Sequence, residues 1–242
     1  MRDRSVLVTG AGSGIGRAVS LACARRGANL AVLDIDGDAA EVVARESEAV
    51  GAPRAVGIAC DVAAEDSVRS AFDAAAQAIG IPGATFANAG IEIDGPLHEF
   101  ELESWRRVLD VNLVGAFLTC REAVRRLVET ASGGSIVCTS SPSAFVRSAA
   151  LDYASHGIRV NAVVPGATDT AMLVSGVAAG SRAATMERIR TSASEQIPLG
   201  RLARPDEVAA AVVWLLSDDS SYVTGTNLVC DGGLMAKSAN DF

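Results

Sequence analysis

The sequence predicts an α/β protein: a doubly wound parallel sheet of about seven strands, forming a single domain over residues 1–242. Three observations carry this. Short β-rich runs alternate with longer Ala-rich stretches from one end of the chain to the other. Most of the short runs lack polar alternation, as parallel strands covered by helices on both faces do. Hydrophobic residues make up 49% of 242 residues, enough for a substantial core, and no repeat, linker or low-complexity tract divides them.

Taken in order, strands are expected at 5–9 (SVLVT), 29–34 (NLAVLD), 54–60 (RAVGIAC), 83–88 (GATFAN), 134–139 (GSIVCT), 158–164 (IRVNAVV) and 227–230 (NLVC). Helices are expected at 14–26, 38–50, 65–79, 103–130, 148–156, 181–195 and 206–217. The first strand runs into VTGAGSGIG, which opens the first helix. Gly10 allows the turn, Gly14 lets a backbone approach a pyrophosphate, and Gly16 lets helix and strand pack closely. The helix N–H groups then face the phosphates, with Ser13 and Ile15 beside them.

The second strand ends in Asp34, followed by Ile35. A carboxylate at this tip accepts hydrogen bonds from both ribose hydroxyls of an adenosine and repels a 2′-phosphate. The middle of the glycine turn, Ala11, Gly12 and Ser13, carries no cation to counter that repulsion. The cofactor expected is therefore NAD rather than NADP. Asp36 and Asp38 help to start the next helix. Segment 167–196, rich in small residues and following the sixth strand, is expected to form a flap over the substrate.

Composition narrows the function classes. With 21 basic and 29 acidic residues the formal charge is −8, which argues against nucleic acid and anionic membranes as partners. Five scattered cysteines with no C-x-x-C pair read as reduced core thiols, and no apolar run approaches the roughly 18 residues of a membrane span. The N-terminal apolar run is too short for a signal peptide, so a cytoplasmic location is expected. Lys237 is the only lysine; the other basic residues are all arginine.

The glycine spacing is T-G-x-x-x-G-x-G, which resembles the short-chain dehydrogenase/reductase family, and the resemblance extends over nearly the whole chain. CDV is similar to the family's adenine contact, which implies that role for Asp61 and Val62. ANAG resembles its N-N-A-G run and supplies Asn88, Ala89 and Gly90; VLDVNLVGAF carries its helix asparagine as Asn112. GGSIVCTSS ends in the family's serine pair, which makes Ser141 the substrate-polarising hydroxyl. VVPGATDT resembles P-G-x-x-x-T, with Pro165, Gly166 and Thr170, the last meeting the nicotinamide carboxamide. Asn88 also reads as a tie between strands, and Ser141 or Thr170 alone would read as caps.

The resemblance implies a Rossmann-type fold, NAD, and hydride transfer between a secondary alcohol and a ketone. Ser141 and Asn112 are then the catalytic residues, Asn112 supporting a water or backbone relay. It also implies a homo-oligomer, dimer or tetramer, built on helix 103–130 and the one after it. The residues IEID after Gly90, Phe145 and the flap are expected to line the substrate pocket. They show no cationic cluster, which points to a small neutral or apolar carbonyl or alcohol.

The family's tyrosine and its lysine four residues on are missing. Tyr153 follows Ser141 at about the family's spacing, yet position 157 is glycine. The stretch ALDYASHGIRVN instead resembles the far end of the same helix, entering the sixth strand, and this placement accounts for more residues. Residues 140–157 still suffice for a parallel crossover. A helix over 148–156 would leave apolar surface uncovered. Either the chain is shortened here, or the sequence joins residues across a missing segment, in which case a break is expected between Phe145 and Leu151. If the chain is contiguous, the alternative is a catalytically inactive dinucleotide-binding or oligomeric partner protein. His98 and His156 read as surface or cap residues.

Overall fold

A computed structural model describes residues 1–139 and 143–237. Seven strands form one sheet: β1 (Ser5–Thr9), β2 (Asn29–Asp34), β3 (Ala55–Ala59), β4 (Ala84–Ala87), β5 (Gly134–Thr139), β6 (Ile158–Pro165) and β7 (Asn227–Cys230). Their order is β3-β2-β1-β4-β5-β6-β7, and every neighbouring pair is parallel. Each strand agrees with its expected span to within a residue at either end.

The helices are α1 (Gly14–Ala24), α2 (Gly37–Ala49), α3 (Glu65–Ile79), α4 (Leu102–Leu109), α5 (Gly115–Glu129), α6 (Ser143–Tyr153), α7 (Arg182–Gln196) and α8 (Pro205–Leu216). Side chains alternate across a strand, so one sheet feeds two cores. Val6 and Val8 of β1 pack with α1, α2 and α8; Leu7 between them packs with α3, α5 and α6. In the second core Thr85 of β4 is fully buried, and its hydroxyl has no hydrogen-bond partner. Four cysteines are buried, and the Cys120 and Cys138 sulfurs lie 3.4 Å apart.

Two elements depart from the sequence reading. The helix expected over 103–130 is a continuous rod, but its middle turn, Asp110–Val114, is a π-turn. Such a turn widens the helix by one residue and recurs at functional sites. Here it sets the Asn112 side chain against the backbone of Ile91.

The helix expected at 148–156 instead spans Ser143–Tyr153, followed by a 3-10 turn over Ala154–His156. Val146, Ala149 and Ala150 are buried at helical spacing, so the stripe that fixes α6 to the sheet begins before residue 148. The helix runs continuously through Phe145–Leu151, where the sequence reading allowed for a break. The uncovered apolar surface is present: Leu151 is 81% exposed, and Leu113 and Phe117 are partly exposed.

Segment 167–196 forms two 3-10 turns, Ala171–Val174 and Ala179–Ser181, and then α7. A small cluster of Ala193, Ile197 and Leu202 anchors it, separate from the two main cores. Among the described residues no helix is long and apolar enough to cross a membrane.

Candidate functional site

In an open parallel sheet, ligands bind beyond the carboxyl ends of the strands, where neighbouring crossovers leave in opposite directions. Here that point lies between β1, which leads to β2, and β4, which leads to β5. A cavity of about 750 Å³ opens there.

The glycine turn supplies Gly10, Ser13, Gly14 and Ile15 to its wall. Gly10 has φ +61°, a conformation that favours glycine, and a Cβ there would lie 2.7 Å from the Ala89 Cα. Ser13 caps α1 with extended backbone and makes no side-chain cap, and the first turn holds no acid. The orphan N–H groups of that turn are therefore offered to an anion.

The tip of β2 supplies Asp34 and Ile35. The Gly12 N–H donates to Asp34 Oδ2 at 2.8 Å, and the Asp36 N–H donates to Oδ1 at 3.1 Å. Ile35 is 74% exposed, an apolar face turned outward at the cavity rim. Asp61 and Val62 follow β3, with the Asp61 carboxylate accepting from the Ala63 N–H at 3.0 Å. Cys60 beside them also borders the cavity, and burial pushes its thiol up to about 11.

Asn88, Ala89 and Gly90 follow β4 into the cavity wall. The Asn88 side chain donates to the Thr9 and Gly10 carbonyls at 3.1 and 3.2 Å and accepts from the Thr139 hydroxyl at 3.0 Å. Thr9 Oγ1 in turn accepts from the N–H groups of Asn88 and Ala89. Asn88 thus ties β1, β4 and β5 together, the structural role the sequence also allowed. Asn112 borders the cavity with its amide engaged by Ile91 on both sides, and Thr170 reaches across the glycine turn.

Three of the expected residues stand behind the wall instead. A Cβ on Gly16 would meet the Gly10 carbonyl oxygen, so Gly16 serves the close helix–strand packing expected of it. Pro165 pairs with Cys230 in the sheet, and a Cβ on Gly166 would lie 2.7 Å from the Asp231 Cα; both hold β6 against the segment after β7. Ser141 lies outside the described residues. Phe145, expected in the substrate pocket, packs edge-on to Phe117 with ring centroids 6.1 Å apart, because α6 turns it toward the second core. Of IEID only Ile91 borders the cavity.

The sequence reading missed Thr139, Glu103 and Arg107 of α4, and Asp110 and Val111 of the π-turn. Glu103, Arg107 and Asp110–Val111 share one side at three- and four-residue spacing, but Asn112 lies five residues beyond Arg107, so ordinary helical spacing from Asn112 does not find that face. Among the described residues Arg107 is the one cation in a lining that also holds Asp34, Asp61, Glu103 and Asp110. Phosphates would thus be held chiefly by the amides at the start of α1, not by side-chain charge. Neither histidine borders the cavity: His98 is exposed near Glu99, and His156 is exposed beside Tyr153.

No tyrosine or lysine borders it either, among the described residues. Tyr153 is half-buried against the second core, Tyr222 is fully exposed, and Lys237 lies by the carbonyls of Glu195 and Gln196.

Comparison with known proteins agrees with this geometry. A family model described as "short chain dehydrogenase" matches residues 4–149, and one described as "Enoyl-(Acyl carrier protein) reductase" matches 141–235. The chain is 42% identical to cis-4-hydroxycyclohexanecarboxylate dehydrogenase of Sinomonas cyclohexanicum, with 97% of each chain covered. It is 38% identical to 2,5-dichloro-2,5-cyclohexadiene-1,4-diol dehydrogenase of Sphingobium indicum, with 98% of each covered. A short-chain type dehydrogenase/reductase from Mycobacterium marinum superimposes with TM-score 0.88 at 33% identity, covering 98% of this chain and 97% of that one. The first alignment runs over 254 positions, more than the 242 residues present, so that relative carries residues this chain has not. On this combined footing, the chain belongs to the short-chain dehydrogenase/reductase family.

Proposed function

We propose that the protein is an NAD-dependent oxidoreductase that interconverts a secondary alcohol, borne on a small neutral ring, and the corresponding ketone. The observation that carries the cofactor half is Asp34: a carboxylate fixed at the tip of β2, beside a glycine turn whose helix amides await an anion. Asp34 would take the adenosine ribose, Asp61 and Val62 the adenine, and Thr170 the carboxamide. The α1 amides at Gly14 and Ile15 would take the pyrophosphate. The bound nicotinamide supplies the hydride acceptor or donor. The ring alcohol rests on the names of the two relatives, one of which acts on a ring carboxylate. The neutral character proposed here rests on a lining that, among the described residues, sets one cation against four acidic side chains.

The proton is the harder part. Oxidising an alcohol releases one, and a side chain poised to accept it is worth about 10²–10⁴ in rate. Asn112 and Asn88 are spent on the backbone and on Thr139, so they orient the walls and move no proton. Ser141 would polarise the carbonyl. Without a tyrosine–lysine pair the proton passes to water, and turnover falls below that of relatives by about that factor.

A second reading follows from the same observation: a dinucleotide-binding or oligomeric partner protein that turns nothing over, its cytoplasmic role depending on assembly. One experiment separates the two. NAD is titrated against the protein, and NADH formation is followed over a panel of alicyclic alcohols. Binding with slow turnover supports the first reading, and binding with none supports the second. No affinity for NAD, or a preference for NADP, overturns both.

A further inference from the structure

We infer that Gly12, in the variable middle of the glycine turn, is a specificity-determining position because it holds the Asp34 carboxylate in place. The inference rests on the proposed ribose-facing role of Asp34. Each carboxylate oxygen takes one backbone N–H: Oδ2 that of Gly12 at 2.8 Å, Oδ1 that of Asp36 at 3.1 Å. A carboxylate has about four acceptor sites, so each oxygen keeps one free for a ribose hydroxyl. The two donors fix which way those free sites point.

Space at position 12 is what allows this. A Cβ there would lie 2.9 Å from Asp34 Oδ2, 3.0 Å from its carboxyl carbon and 2.9 Å from the Ala39 Cβ. Of these neighbours the Ala39 Cβ has little room to move, as has the turn that carries Gly12. Ala39 sits in the first turn of α2, and its N–H is held by the Asp36 side chain at 3.0 Å. The turn itself is pinned beside β2 by the Ala11 N–H on the Leu33 carbonyl at 2.9 Å. The Asp34 carboxylate is the group free to rotate, so any side chain at position 12 swings it off the Gly12 amide. A displaced carboxylate both loses the ribose and stops repelling a 2′-phosphate.

The test uses adenosine 5′-monophosphate and its 2′-phosphorylated counterpart, which lack the nicotinamide, titrated calorimetrically against the full chain. Gly12→Ala is expected to weaken the monophosphate about tenfold, the worth of one charge-assisted hydrogen bond, and to move the ratio of the two affinities toward unity. In an Asp34→Ala background the same substitution should change nothing further. An unchanged ratio, or an equal loss in that background, overturns the inference. If Asp34→Ala itself leaves the ratio unaltered, the ribose-facing role of Asp34 fails instead. Should Gly12→Ala not fold, amide exchange decides: Asp34→Ala must speed exchange of the Gly12 N–H, and an unchanged rate overturns the coupling.

Discussion

The side chain of Asn112 and the backbone of Ile91 hold each other through two hydrogen bonds, each 2.9 Å long. The Ile91 N–H donates to Oδ1, and Nδ2 donates to the Ile91 carbonyl. This pair fastens the π-turn of the α4–α5 rod to the strand end that forms the cavity floor. Asn112→Ala leaves both backbone groups of Ile91 without their partner and should cost about 1–3 kcal/mol in urea unfolding. Asn112→Asp keeps the acceptor and loses the donor, so its loss should be smaller. Equal stability for all three proteins would show that the pair holds nothing.

Tyr153 ends α6, does not border the cavity and packs on the second core. Tyr153→Phe should leave NAD affinity, and any alcohol-dependent NADH formation, where they were. A collapse of turnover with binding intact would restore Tyr153 as the proton donor.

Thr85 places an unpartnered hydroxyl in a fully buried strand position. Thr85→Val keeps the shape and removes the unmet polar group. A gain of about 1 kcal/mol is expected in chemical denaturation, and a loss would mean that the hydroxyl finds a partner, such as a buried water.

Glu207 accepts from both Arg201 amino groups, at 2.8 and 2.7 Å, and from the Arg204 N–H at 2.8 Å. The Arg201 hydrogen bonds, first, and that backbone donor hold its carboxyl down at about 2, below the ordinary 4.5. A depressed carboxyl stabilises the fold fully above its unfolded value and loses that contribution as pH falls through the folded one. The penalty of Glu207→Gln in the urea midpoint should be level from pH 8 to about 5, shrink below about 4.5 and vanish near 2. A penalty that grows on acidification would contradict the assignment.

The sheet was readable because parallel strands covered on both faces appear as apolar runs, as most of the seven did, although β6 carries Arg159 and Asn161 at alternate positions and β7 is half exposed. The cavity wall was readable where a backbone constraint leaves a residue signature, as at Gly10 and Asp34. It was not readable on α4, where Glu103 and Arg107 look in sequence like an ordinary solvated helix face, although both border the cavity. The start of α6 was misjudged because Val146 alone, ahead of two alanines, is a faint stripe. Phe145 was assigned to the pocket from its neighbourhood in sequence, but its place follows from the rotation of that helix.

The link from β5 to β6, residues 140–157, is the tightest connection in the sheet, and the two family models meet across it at 141–149. Most of the cavity wall hangs instead from the ends of β1, β2, β3 and β4, with Thr139 of β5 and Thr170 after β6 completing it. A longer arm grafted at this one doorway, bearing a tyrosine and a lysine, would therefore leave the β1–β4 part of that wall as it stands.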